Sequence, residues 1–323
     1  MEYILFTLAI IGGIIGLVWS ADRFVLGAST TARNLGVSNL IIGLTIVSFG
    51  TSAPEIITSA TAALSGYPEL AIGNVLGSNI ANIGLVLGLT VLVRPIIVPI
   101  SLLKEELPVL LIVTFAALFI FLDLYLGWVD GIILLFLLAL FTWFVLKIKT
   151  SLTDTHLSED EEVADFIADI STAKSLGLMF FGLILLLLSA NVLVYGATGI
   201  AKAFGVSEII IGLTVVAIGT SLPELAASIA GVLKGHHDLA LGNIIGSNIL
   251  NLLLVLPVPA FLAPLYIGNV VLWRDVGAMV FMTLLLTALL IFKIKRRQTF
   301  GRFFGAVLLV LYMSYTAILF ALS

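Results

Sequence analysis

Glu55 and Glu224 lie deep inside long apolar runs of the chain. An ionised side chain at the centre of a bilayer costs at least ~3 kcal/mol unless it is paired or solvated. No Lys, Arg or His falls at a comparable depth, so two acids without a basic partner call for cations from outside the sequence. Their neighbours are suited to hold them. Thr51, Ser52, Thr220 and Ser221 supply hydroxyl oxygens within a turn of the acids. Pro54 and Pro223 lack an N–H, so the carbonyls of Gly50 and Gly219 lose their helical donors. Ser78 with Asn82, and Ser247 with Asn251, are spaced i, i+4 and share one helix face.

Every one of these candidate ligands is an oxygen. Hard cations such as Ca²⁺ take six to eight oxygens, whereas softer metals prefer imidazole or thiolate. Two carboxylates balance one divalent ion or two monovalent ions. A site that accepts either load can exchange them, which is the requirement for antiport. Other polar residues read as structural. Asn79 and Asn248 are expected to hydrogen-bond between helices. Asp22 with Arg23 reads as an interfacial ion pair, and Asp123 and Asp130 as solvated loop acids. Glu105 and Glu106 suit the positive end of a helix.

The elements that carry these residues must be membrane helices. Of the 323 residues 61% are apolar and 11% charged, too few charges for a water-exposed surface. The continuous apolar runs exclude a β-barrel, whose strands alternate. A net charge of −4 without a basic stripe argues against nucleic-acid binding. The lack of cysteine removes disulfides and thiolate sites, and no nucleophile–base pair or cofactor motif points to an enzyme. The first apolar run is preceded by Glu2 rather than a basic stretch, so it reads as a first span and not a cleaved signal.

Charged or turn-rich breaks near 33–38, 65–70, 94–106, 123–130, 147–174, 202–208, 233–238, 265–275 and 292–302 divide the chain into ten spans. Of the 15 basic residues, 13 fall on one set of alternate loops and helix ends, and only Lys202 and Arg274 on the other. The positive-inside rule then puts both termini outside the cytoplasm and the 147–174 connection within it. The chain also repeats itself at a shift of 169 residues: GTSAPE at 50–55 meets GTSLPE at 219–224, and GNVLGSNIAN at 73–82 meets GNIIGSNILN at 242–251. IIGLT at 41–45 likewise recurs at 210–214. Each half holds five spans, an odd number, so the second half must be inserted upside down. The expected fold is an all-α membrane protein of ten transmembrane helices in two inverted repeats, residues 1–148 and 173–323, joined by an acidic cytoplasmic linker at 149–172. Inverted repeats are a recurrent plan of secondary transporters, with the site at their interface near the midplane.

The paired GTSAPE and GTSLPE segments, each followed by GN-x-x-GSN-I-x-N, resemble the two α-repeats of the sodium/calcium exchangers in the calcium/cation antiporter superfamily, over essentially the whole chain. The short length is similar to the prokaryotic members. The resemblance implies a bundle of spans 1 and 6 that slides against an eight-helix core. It makes Glu55 and Glu224 the shared Ca²⁺ and Na⁺ carboxylates. Thr51, Ser52, Thr220, Ser221, Ser78 and Ser247, with the backbone carbonyls of Ser48 and Ala217, would complete the sites. It implies electrogenic exchange of Na⁺ for Ca²⁺ by alternating access in a cell (inner) membrane. One departure stands out: the position of Asn251 is Asp in some branches, including potassium-dependent exchangers, whereas here both repeats carry Asn, at 82 and 251. That speaks against K⁺ co-transport. Proton-coupled relatives usually carry GN rather than GTS before the acid, so the motif favours sodium over the alternative of an H⁺-driven Ca²⁺ or Mn²⁺ exchanger. No cofactor and no obligate protein partner are expected beyond the transported ions and the lipid bilayer.

Two further segments are distinctive. Residues 154–169 carry seven acids but lack the EF-hand spacing, and read as a solvated linker. The basic run KIKRRQTFGR at 293–302 reads as a topology anchor near anionic lipid.

Overall fold

The computed structural model describes residues 2–152, 170–204, 217–296 and 298–321. The acidic segment 154–169 and the IIGLT copy at 210–214 lie outside the described residues. The regular structure of the described chain is helical apart from one two-residue antiparallel ladder and one isolated β-bridge. Its main helices are α1 (Glu2–Asn34), α2 (Asn39–Thr51), α3 (Ala53–Leu64), α4 (Pro68–Val93), α5 (Glu106–Phe121) and α6 (Trp128–Leu152). After the linker come α7 (Thr172–Ala203), α8 (Ala217–Thr220), α9 (Leu222–Leu233), α10 (His237–Leu262), α11 (Val271–Lys295) and α12 (Arg302–Ala321). Among the described residues seven helices are long and apolar enough to cross a membrane, or eight with the bent pair α2–α3 taken as one span. The helices α5 and α9 are shorter apolar segments.

The helices sort into a core and a flank. In the apolar windows of α4 and α10, 78% and 83% of residues are buried, against 22% in α1 and 28% in α7. Exposed Leu5, Ile11, Ile15 and Val18 on α1, and Phe180, Ile184 and Leu188 on α7, give this flank an apolar outer face suited to lipid. At 33 and 32 residues the two flanking helices are each ~50 Å long, more than ~30 Å of hydrocarbon requires, so they tilt. They pack antiparallel along their length. A Cβ on Gly13 would meet the Leu193 backbone at 2.8 Å, and one on Gly182 would meet the Phe24 Cα at 2.8 Å. Thr31 donates a hydrogen bond to Ser175 at 3.0 Å near the other end of the pair. Small residues allow this approach between helices that gain no hydrophobic energy from association in lipid.

Between core helices the same device joins the two halves of the sequence. Gly43 on α2 faces the Leu239 carbonyl of α10, and Gly246 on α10 faces the Leu44 carbonyl of α2. The connections pair off end by end. At one end Asn34 donates to the Ile170 carbonyl, Arg94 to the Val232 and Leu233 carbonyls, and Arg302 to the Leu92 carbonyl. Ile96 and Phe300 form a β-bridge there. In another set of loops β1 (Tyr125–Leu126) pairs with β2 (Leu265–Tyr266).

Several expectations change. Asp22 does not pair with Arg23; it forms a 2.6 Å ion pair with Lys234 at the end of α9. Arg23 instead lies over the Trp19 ring, because in a helix consecutive side chains diverge while residues four apart share a face. Asp123 and Asp130 are not merely solvated. They accept the Tyr125 and Gly127 N–H groups and so shape the turn around β1. The break expected over 265–275 ends earlier, with helix from Val271. Arg274 is neutralised by a bidentate pair with Asp275, which Tyr315 also bonds at 2.9 Å, so its charge does not force a loop. In the basic run 293–302, Lys293 and Arg296 stack on Phe304 and Phe292. Those cations pack on their own protein as well as facing outward.

Candidate cation site

The site begins with two broken helices. Pro54 sits in the first turn of α3, and its missing N–H interrupts the ladder, so α2 and α3 meet at an angle of 41°. The elbow residue Ser52 has φ −81° and ψ 5°; its counterpart Ser221, between α8 and α9, has φ −86° and ψ 2°. The equal geometry follows from equal sequence, since Pro223 stands where Pro54 does. Each elbow puts a Thr and a Ser at the break and starts a new helix whose first turn holds Glu55 or Glu224. The N-terminal end of a helix carries partial positive charge, which favours a carboxylate there.

The two acids meet. Glu55 and Glu224 are both 0% exposed and lie close enough for their charges to interact. Ser52, from the first half, donates a hydrogen bond to Glu224 Oε1 of the second half at 3.2 Å. Thr51 and Ser247 also stand close to the Glu224 carboxyl, and Thr220 close to that of Glu55. The groups acting on the two acids are hydroxyls, backbone N–H and each other, with no Lys, Arg or His among them. Among the described residues no group of three or more His, Cys, Asp or Glu is placed to hold a metal ion. The site is two carboxylates set among neutral oxygens.

The other expected ligands are also buried. Ser48, Ser78, Ser221, Ser247, Asn82 and Asn251 are each at most 4% exposed. The Ser48 carbonyl accepts the Ser52 N–H at 2.9 Å and lies 3.3 Å from the Thr51 hydroxyl, which can also donate to it. Ala217 is the first described residue of α8, and its side chain lies outside the description. Asn82 and Asn251 each open a π-helical turn inside a longer helix. The turn at Asn82 packs on α9, which carries Glu224, and the turn at Asn251 packs on α3, which carries Glu55. Each π-turn thus packs on the acid-bearing helix of the opposite half. Among the described residues many oxygens here have no hydrogen-bond partner: both of Glu55, Oε2 of Glu224, the hydroxyls of Ser221 and Ser247, and the amide oxygens of Asn82 and Asn251. A buried, unsatisfied polar atom costs about 1–3 kcal/mol, so such a cluster is a suitable host for a cation that needs six to eight oxygens. Asn79 reaches across to the Met279 sulfur at 3.7 Å, in keeping with a role between helices.

Sequence reasoning did not single out Asn74 and Asn243. Asn74 donates to the Glu55 carbonyl at 3.3 Å and to Ser59 at 2.9 Å. Asn243 makes the equivalent bonds to the Glu224 carbonyl at 3.3 Å and to Ser228 at 3.1 Å. The signal was available, because Asn74/Asn243 and Ser59/Ser228 are both identical pairs at the 169-residue shift.

Inward-facing carboxylates, helices broken at the same motif and a membrane-spanning core define a membrane transporter of cations. Comparison with known proteins assigns the family. The model of the family described as "Sodium/calcium exchanger protein" matches residues 5–147 and 174–321. The inner membrane protein YrbG of Escherichia coli is 41% identical, over 99% of this chain and 98% of its own. The sodium/calcium exchanger MaX1 of Methanosarcina acetivorans is 30% identical, over 95% of this chain and 96% of its own. A solved structure of the sodium-calcium exchanger NCX_Mj superposes with a TM-score of 0.82 at 38% identity, covering 98% of this chain and 99% of that one. This chain belongs to the sodium/calcium exchanger protein family, and is thus a multi-pass membrane antiporter of cations.

Proposed function

We propose that this protein exchanges Na⁺ for Ca²⁺ by alternating access, with Glu55 and Glu224 as the shared carboxylates. The observation that carries the reading is the hydrogen bond from Ser52 to Glu224 across the two halves, at a pair of acids that are wholly buried and have no basic partner among the described residues. Thr51, Thr220, Ser221, Ser78, Ser247, Asn82 and Asn251 complete the oxygen set, with the Ser48 and Ala217 carbonyls. Two formal charges balance one Ca²⁺ or two Na⁺, so the ions compete for overlapping positions. Closing the site over two bare carboxylates in a low-dielectric interior is costly. Occlusion therefore needs ions, and that requirement couples the two fluxes. At two Na⁺ per Ca²⁺ the exchange moves no net charge and the Na⁺ gradient alone drives it; with a third Na⁺ one net positive charge moves inward, which the membrane potential favours by ~2.3 kcal/mol per charge per 100 mV.

The architecture we infer is ten spans in two inverted halves, 1–148 and 173–323, joined by the linker at 149–172. The antiparallel packing of the corresponding helices α1 and α7 supports inversion. The contacts at the loops support the alternation of sides. Each joins members of one expected set, as Arg94 with Leu233 on the cytoplasmic side and Tyr125 with Tyr266 on the outer side. Both termini then lie outside an inner membrane. The long, thinly buried pair α1–α7 is the part that shifts past the core.

The test is Ca²⁺ uptake into proteoliposomes driven by an outward Na⁺ gradient. Uptake that collapses when Na⁺ is replaced by K⁺ supports the proposal. Uptake driven only by a pH gradient would make the protein a proton-coupled exchanger, and Mn²⁺ in place of Ca²⁺ tests the cargo.

A further inference from the structure

We propose that Asn243 is a positioning residue that turns the Thr51 hydroxyl so that its lone pairs, rather than its proton, face the transported cation. The inference rests on the proposed cation site and goes beyond its ligand set. Asn243 is fully buried on α10, and three of the four hydrogen-bonding directions of its amide are used. Its Nδ2 donates to the Glu224 carbonyl at 3.3 Å and to Ser228 Oγ at 3.1 Å. Its Oδ1 accepts the Thr51 hydroxyl at 3.1 Å. The opposite amide orientation would set Oδ1 against the Glu224 carbonyl oxygen, two acceptors facing each other, so the network fixes which end is oxygen.

A threonine hydroxyl has one proton and two lone pairs. It can ligate a cation only through a lone pair, with its proton pointed elsewhere. Three acceptors surround the Thr51 proton: the Ser48 carbonyl at 3.3 Å, Asn243 Oδ1 at 3.1 Å and the nearby Glu224 carboxylate. If the proton goes to Glu224, it weakens the carboxylate as a ligand. If it goes to the Ser48 carbonyl, it competes with a carbonyl wanted for sodium. Asn243 is neutral, is held by its two donor bonds and, at 3.1 Å, lies nearer the Thr51 hydroxyl than the Ser48 carbonyl at 3.3 Å. It takes the proton without drawing on the ligand set. Because Thr51 belongs to the first half and Glu224 to the second, the same amide also holds the two elbows in register. Asn74 repeats the donor half of this arrangement at Glu55 and Ser59.

The experiment uses the full chain in detergent and in proteoliposomes. Two readouts are taken: the Ca²⁺ concentration that half-saturates Na⁺-driven uptake, and the one that half-saturates the Ca²⁺-induced rise in melting temperature. Asn243→Ala is expected to raise both about tenfold, the scale of changes in groups that orient a ligand, with the maximal rate changed less than about threefold. Thr51→Val raises them as well. Because Asn243 acts through Thr51, the double variant is expected to match the worse single variant rather than the product of the two. Should Asn243→Ala fail to fold, Asn243→Asp preserves shape and keeps an acceptor for Thr51. On that background Thr51→Val still raises half-saturation, whereas no further effect there overturns the proposal. Unchanged Ca²⁺ affinity in Asn243→Ala, or multiplicative effects in the double variant, also overturns it. Wild-type Ca²⁺ binding without Na⁺-driven uptake refutes the proposed exchange and leaves the melting-temperature arm to decide on Asn243. Absence of any Ca²⁺-dependent shift in the wild type sinks both.

Discussion

Glu55 and Glu224 differ from the buried Asp275 in what surrounds them. A buried structural carboxylate can be neutralised by a cation from the same chain, as Asp275 is by Arg274 near a helix end. At the paired glutamates the neighbours are neutral oxygens contributed by both halves. Charge is therefore the property to remove. Glu55→Gln and Glu224→Gln are each expected to abolish Na⁺-driven Ca²⁺ uptake while the protein remains folded by size-exclusion chromatography. Full activity in either variant would refute the site. Protons compete for the same carboxylates, so uptake is expected to fall as both faces are taken from about pH 8 to about pH 5.5. A flat profile would show that the acids do not exchange their load with bulk protons.

At the scale of elements, the functional feature is the elbow. Pro54 and Pro223 break the helices where the hydroxyls must turn inward, and small residues then let neighbouring helices close over the break. The flanking pair α1–α7 uses the same small-residue contact for a looser purpose, since most of its surface faces outward. Gly182→Leu would force a side chain into the Phe24 backbone of α1. Overpacking of this kind costs about 1–3 kcal/mol. Uptake is expected to drop by an order of magnitude or more, while Ca²⁺ still raises the melting temperature, because the core site is untouched. The Asp22–Lys234 pair, half-exposed on the Asp side, joins this flank to the core. An exposed pair of this type is worth about 0–1 kcal/mol, so Asp22→Asn should leave the melting temperature within a few degrees of wild type. A large loss of stability would show that the pair anchors the flank.

For the whole molecule, the sidedness inferred from charge can be tested directly, because the chain has no cysteine. A cysteine replacing exposed Gln298 is expected to react with a membrane-impermeant thiol reagent only from the cytoplasmic side, and one replacing exposed Ser65 only from outside. The reverse pattern would invert the topology without disturbing the site. The all-helical membrane character of the chain and its family were legible in the sequence. Hydropathy, the distribution of basic residues and the 169-residue repeat act along the chain and can be read there one segment at a time, as can the cost of Glu55 and Glu224 in lipid. Partnerships across space could not be read that way. Asp22 bonds Lys234 rather than its neighbour Arg23, Arg274 stays helical because Tyr315 and Asp275 enclose it, and Asn243 reaches Thr51 from the other half. Each depends on which helix faces which and at what angle. Packing of helix surfaces sets that relation, and neither periodicity nor local propensity along a single strand of sequence contains it.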